Sequence, residues 1–140
     1  MLAISPNYTR DRTVYAVLSG TGLMRSTDGG QTWQAANSGL FYEDVALSDL
    51  ALSPSFAEDK TLYALLTASR SEGIPRLYRS TDRGDNWKVL EEAIPISALA
   101  LIPDGDLLLG TVDGRIHRLR AERLVWENLT VELGDLDVYN

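Results

Sequence analysis

The sequence predicts an all-β fold made of three similar four-stranded units. Three observations carry this expectation. One short segment recurs twice along the chain, Gly, Pro, Asn and Asp punctuate short apolar runs, and no stretch shows helical periodicity of useful length. Leu2-Ala3-Ile4-Ser5-Pro6 returns as Leu50-Ala51-Leu52-Ser53-Pro54 and again as Leu99-Ala100-Leu101-Ile102-Pro103, steps of 48 and 49 residues. Asp11-Arg12-Thr13-Val14-Tyr15-Ala16 likewise matches Asp59-Lys60-Thr61-Leu62-Tyr63-Ala64. A period of this length is that of a four-stranded propeller blade. The predicted fold is therefore a β-propeller segment of three antiparallel blades.

Each unit divides into four strands. The first has them near 2–5, 13–18, 22–26 and 32–36, and the second near 49–53, 61–67, 75–80 and 86–90. The third has them near 97–102, 106–112, 115–120 and 124–129. Thr13-Val14-Tyr15 and Thr61-Leu62-Tyr63 supply the β-branched and aromatic residues that suit a pleated surface. Leu107-Leu108-Leu109 is apolar without alternation, as in a strand covered on both faces. Asp113-Gly114 reads as a two-residue hairpin turn.

Blade limits fall at about 1–47, 48–96 and 97–133. The tail Gly134–Asn140 resembles Ser48–Pro54 and is expected to be the inner strand of a further blade. Three blades are fewer than the roughly four or more that closure requires. Both terminal blades should then expose apolar faces. The expected cover is the remaining blades of a longer parent chain, or a second copy in a ring of about six blades with exchanged inner strands. The longer parent is the favoured expectation.

Composition narrows the partners. With 44% hydrophobic and 24% charged residues the 140-residue chain is ordinarily globular. The net charge of −7 and the lack of a dense Lys/Arg stripe speak against nucleic acid. No apolar run approaches the ~20 residues that cross a bilayer, so membrane insertion is not expected. There is no cysteine, which excludes disulfides and thiolate metal sites and leaves the compartment open. The first residues lack the pattern of a signal peptide, but the chain opens inside a repeat, so a targeting segment is not excluded in a longer, secreted parent.

The sharpest motif occurs twice, as Ser26-Thr27-Asp28-Gly29-Gly30-Gln31-Thr32-Trp33 and Ser80-Thr81-Asp82-Arg83-Gly84-Asp85-Asn86-Trp87. In the third unit only its frame remains, Arg118 preceding Trp126 at the spacing of Arg25 and Trp33. The motif resembles the Asp-box, or BNR repeat, of sialidase-like, sortilin-like and photosystem-assembly-type propellers. The resemblance implies a hairpin between the third and fourth strands of a blade. Turn chemistry gives it a structural reading. Asp28 and Asp82 should accept N–H groups one or two residues ahead, with Ser26 and Ser80 adding a bond. Gly30 and Gly84 should supply left-handed backbone, and Trp33 and Trp87 should pack beneath the turn.

No catalytic residue, metal ligand or cofactor is assigned from the sequence. A sialidase would need an arginine cluster and an early Arg-Ile-Pro-like segment, and nothing of that kind precedes Ser26. Asp-x-Gly alone lacks the oxygens calcium demands. His117, the one histidine, aligns with Met24 and Tyr78 and reads as a packing residue. Asn128-Leu129-Thr130 fits a glycosylation sequon that matters only in a eukaryotic secretory route. The loops distinguish the blades better. Residues 68–75 form an insertion, and with the 37–45 connector they should share the face opposite the Asp-boxes. Phe41, Tyr42, Glu43, Arg70 and Glu72 form the candidate binding face there. The expected function is a non-catalytic scaffold that binds protein or glycan. The alternative is part of a sialidase-like glycoside hydrolase whose catalytic residues lie mostly outside this chain.

Overall fold

The computed structural model describes residues 1–18, 21–40, 45–68 and 75–129. The expected inner strand at 134–140 lies outside them. Strands β1 (Leu2–Ile4), β2 (Val14–Leu18), β3 (Gly22–Ser26) and β4 (Gln34–Ala35) form one antiparallel sheet in chain order. Strands β5 (Val45–Leu52), β6 (Leu62–Ala68), β7 (Arg76–Ser80) and β8 (Lys88–Glu91) form the second. Strands β9 (Ile96–Leu101), β10 (Leu107–Thr111), β11 (Ile116–Arg120) and β12 (Val125–Asn128) form the third. The first strands of successive sheets, β1 with β5 and β5 with β9, lie against each other. This is the β-propeller-like, all-β arrangement that the repeat implies.

Register makes the units superimposable. Val14 faces Ser26, Leu62 faces Ser80 and Leu107 faces Leu119 across the second and third strands. Arg25, Arg79 and Arg118 therefore occupy one position, and they face Gln34, Lys88 and Glu127 on the fourth strands. The third unit keeps this frame although its motif is gone. His117 lies on β11 opposite Leu109 and is half-buried.

Alternation along β6 explains why its apolar run is continuous. Leu62, Ala64 and Leu66 join a core with Tyr15, Leu23, Leu50, Phe56 and Trp87, between the first and second sheets. Tyr63 and Leu65 point the other way and join Leu77, Ile96, Leu107, Leu109 and Leu119, between the second and third. Each fully buried Leu contributes about 1.5–3 kcal/mol relative to exposure. The middle sheet is thus the hydrophobic centre of the stack.

Four local features differ from the sequence expectation. First, single helical turns, α1 (Tyr8–Asp11) and α2 (Phe56–Asp59), link the first two strands of the first two units. They are too short for a hydrophobic period and are built by side-chain bonds. Ser5 donates its hydroxyl to Asp11 at 2.6 Å, and the Asp11 carboxylate accepts the Thr13 N–H at 2.9 Å. Ser53, Asp59 and Thr61 repeat the pattern. The turns end in left-handed Arg12 (φ 54°) and Lys60 (φ 55°).

Second, β5 starts at Val45, ahead of the expected 49, because a bulge between Leu47 and Asp49 lets its pairing with β6 continue. Third, β4 keeps only two residues, since Thr32 is tied back to Asp28. Fourth, the β10–β11 turn is not a two-residue loop. Thr111 pairs with Arg115 through N–H to carbonyl at 3.0 Å, leaving a loop of Val112, Asp113 and left-handed Gly114 (φ 79°). The Gly114 N–H closes back on the Thr111 carbonyl, as in a three-residue loop ending in left-handed glycine.

Candidate functional site

Both Asp-boxes share the serine–aspartate core of their internal wiring. In the first, the Ser26 hydroxyl donates to Asp28 at 2.7 Å and accepts the Gly30 N–H at 2.8 Å. Asp28 accepts the N–H groups of Gln31 and Thr32, each at 2.9 Å, and its second oxygen accepts the Thr32 hydroxyl. In the second, Ser80 donates to Asp82 at 2.7 Å and accepts the Gly84 N–H at 2.9 Å. Asp82 accepts the Asn86 N–H and side-chain amide, both at 2.9 Å. Asp28 therefore reaches three and four residues ahead and Asp82 four, not one or two. The serine oxygen takes the nearer N–H groups because its shorter side chain stays close to its own backbone.

These bonds hold both carboxylates in the charged form. The Thr32 hydroxyl, then the Thr32 N–H and the Ser26 hydroxyl, lower the Asp28 pKa strongly. Burial pushes Asp82 upward, but the bonds from Asn86 and Ser80 together outweigh it and leave it below its ordinary value. A general acid needs a proton near neutral pH, so this environment is wrong for that task. Each box also rests on the αL end of its own unit's helical turn. Gly29 and Arg83 donate N–H groups to the carbonyls of Arg12 and Lys60, both at 3.0 Å.

The two boxes part company at the tryptophan. Trp87 is only 4% exposed, and its indole N–H donates to the Ala36 carbonyl of the first sheet at 2.8 Å. The Trp87 backbone N–H donates to Ser38 at 2.9 Å. Around it the first sheet grips the second box. Tyr15 and Arg25 both donate to the Arg83 carbonyl, at 2.7 and 2.8 Å, and Arg25 pairs with Asp85 at 2.8 Å. Tyr15 also stands edge-on to Phe56, with ring centroids 6.1 Å apart. Burial raises the Tyr15 pKa far above the usual phenol value, with the Arg25 charge opposing. Trp33 lies against Gly30 of its own turn, as Trp87 does against Gly84, but is 39% exposed. Among the described residues its indole N–H bonds back to Gly30 at 3.0 Å.

The third unit replaces the box with an ion network. Asp106 Oδ1 accepts the Ala121 N–H at 3.0 Å, and its Oδ2 binds Arg118 at 2.7 Å and Arg120 at 3.0 Å. Asp104 adds a second bond to Arg118 at 2.9 Å, and Glu127 holds Arg120 at 3.1 Å. The Ala121 N–H, with help from Arg118, keeps the Asp106 pKa low against burial. Sequence reasoning missed Asp106. Its signal was an acid at the position where the other units carry Thr13 and Thr61.

Of the sequence-predicted residues, Ser26, Asp28, Gly30, Trp33, Ser80, Asp82, Gly84 and Trp87 lie in the two hairpins at one end of their sheets. Phe41, Tyr42, Glu43, Arg70 and Glu72 lie outside the described residues. Among the described residues no group of three or more His, Asp or Glu could hold a metal ion. No helix there is long and apolar enough to cross a membrane.

The geometry defines a β-propeller-like stack consolidated by Asp-box hairpins, and comparison with known proteins agrees. Residues 24–35 match the BNR/Asp-box repeat. A solved structure of a candidate gluconolactonase is similar to this chain with a TM-score of 0.58 and 20% identity, over 89% of this chain and 49% of that one. The chain thus spans about half the length of that neighbour, and the likeness concerns the fold. No curated protein sequence matches. Neither comparison brings in a sialidase or a sortilin.

Proposed function

We propose that the chain is a non-catalytic Asp-box scaffold that presents a protein- or glycan-binding surface on the face opposite the boxes. The observation that carries this reading is the use made of the box residues. The Asp28 and Asp82 carboxylates are consumed by their own turns, and Arg25 and Trp87 by the junction between sheets. The motif that identifies the fold therefore serves stability, which leaves recognition to the loops at the other end. On this proposal Phe41, Tyr42, Glu43, Arg70 and Glu72 contribute to that surface. Further blades, of a longer chain or of a second copy, cover the Trp33 side.

The test is binding to a glycan array and to a panel of peptides. Tyr42→Ala and deletion of 69–74 should abolish any interaction that Asp28→Ala, in a folded protein, preserves. An interaction lost in Asp28→Ala but kept in the loop variants would overturn the reading. A second reading, a portion of a hydrolytic propeller with its catalytic groups in other blades, is favoured only by the description of the fold neighbour as a candidate gluconolactonase. Steady hydrolysis of a lactone or a sialoside by the chain would establish it.

A further inference from the structure

The three equivalent arginines do not share a fate. Arg25 finds a carboxylate across the first junction, in Asp85 of the next unit's box. Arg118 finds two within its own sheet, Asp104 and Asp106. Arg79 forms no ion pair among the described residues. The reason is visible in the frame. Leu124 of the third unit stands where Asp85 stands in the second, at the same distance from the shared tryptophan position. The second junction has therefore lost the acid that the first one uses.

The cross-strand partner sharpens the contrast. Arg25 faces neutral Gln34 and Arg118 faces acidic Glu127, but Arg79 faces Lys88. Directly opposed residues of an antiparallel pair share a face of the sheet, and like charges there repel. Lys88 also forms no ion pair among the described residues. Two cations without an ion-pair partner among the described residues thus line one side of a groove of about 570 Å³ between the second and third sheets, Arg79 being hydrogen-bonded there to the Tyr63 hydroxyl. Val89, Leu90 and Leu124 give it apolar surface, and Leu124 is 42% exposed. Asp82 and Asn86 also line it, bonded to each other within the box, so the groove holds one carboxylate beside its two cations. The Arg79 Nε is buried without a hydrogen-bond partner. Arg25 shares that feature, so the two junctions differ in the acid facing the guanidinium and not at Nε.

We propose that this groove is a carboxylate-binding site, in which a small organic acid takes the place that Asp85 fills at the first junction. Arg79 holds the carboxylate, Lys88 adds charge, and the apolar wall accepts the body of the acid. Arginine suits a planar carboxylate better than a spherical anion because its donors lie in a fixed fork. The site lies at the box end of the sheets and is distinct from the loop face discussed above.

The experiment uses the whole chain, titrated with sodium butyrate and, as a neutral isostere, butyramide, and followed by amide and Arg Nε–H chemical shifts. Butyrate should move the Arg79 and Leu124 signals, and butyramide should not. Leu124→Asp restores the internal acid, and aspartate tolerates the left-handed backbone there (φ 51°) better than leucine. This variant should stay folded and bind butyrate at least about tenfold more weakly. Lys88→Glu should do the same by copying Glu127 of the third unit. No butyrate shift at these residues, equal shifts with butyramide or with sulfate, or unchanged binding in a folded Leu124→Asp would each overturn the proposal.

Discussion

The two Asp-boxes are nearly identical inside and opposite outside. Each locks its own turn through serine and aspartate, yet Trp87 is buried against another sheet while Trp33 stays partly exposed. The difference teaches that the box has two separable jobs. Its Ser and Asp shape a hairpin using local bonds only. Its Trp and the residues around it dock that hairpin into the preceding sheet, and this second job needs a receptor. The first sheet supplies one in Tyr15, Arg25 and the Ala36 carbonyl. Among the described residues, no hydrogen bond ties the first box to another sheet.

The largest expected effect follows directly. Trp87→Ala removes a buried indole and leaves the Ala36 carbonyl unpaired, so it should cost about 3–5 kcal/mol in urea denaturation. Trp33→Ala should cost only about 1 kcal/mol, because half-exposed surface and one local bond are lost. Equal costs would break the comparison by showing that Trp33 is covered in solution. Sedimentation velocity on wild type and Trp33→Ala would then tell whether a second copy provides the cover.

Gly39 offers the next largest effect. A Cβ there would come within 2.5 Å of the Trp87 carbonyl oxygen, and the residue has φ +89°. Gly39→Ala should therefore destabilise by at least about 1–3 kcal/mol from overpacking, with backbone strain added. Gly114 makes a control. It has φ +79° but open space around its Cβ, so Gly114→Ala should cost only about 1 kcal/mol of backbone strain. If the two cost the same, Gly39 matters for its turn and not for docking. Smaller again is the Arg25–Asp85 pair, because Asp85 is 55% exposed. A double-mutant cycle with Arg25→Gln and Asp85→Asn should give a coupling of about 1 kcal/mol or less.

How much of this was legible in the sequence follows the same division. Strand positions and the hairpins could be read because alternation and turn chemistry act over a few residues, as in Thr13–Tyr15 and Ser26–Trp33. Docking could not. Nothing near Arg25 indicates that its partner is Asp85 in the following unit, and both boxes spell the same tryptophan. The helical turns escaped because four residues hold no period, although the repeated Ser-Pro and Asp-x-Thr marked them. The candidate binding face was read from loop length and the aromatic and charged residues the loops carry, and its residues lie outside those the structure describes. The Arg79–Lys88 pair was legible in principle, but only once register had placed the two opposite each other.

The smallest effect tests the local job by itself. Asp28 and Asp82 both have folded pKa values below the ordinary carboxylate value of about 3.9. A depressed folded pKa means that the stabilisation is complete above about pH 3.9 and is lost as pH falls through the folded value. Melting temperature should therefore hold from neutrality to about pH 5 and fall in acid. The two boxes should differ in where they give way. Desolvation works against the bonds at Asp82 more than at Asp28, so the Asp28 contribution should persist to lower pH. Asp28→Asn and Asp82→Asn, followed by thermal melts across the acid range, separate them. Each variant should melt below wild type near neutrality and converge with it in acid, Asp82→Asn first. Parallel melting curves at every pH would show that the carboxylate charge is idle and that the turn needs only an oxygen. The box would then be a hydrogen-bonding motif without an electrostatic part, and the contrast between the boxes would reduce to tryptophan burial alone.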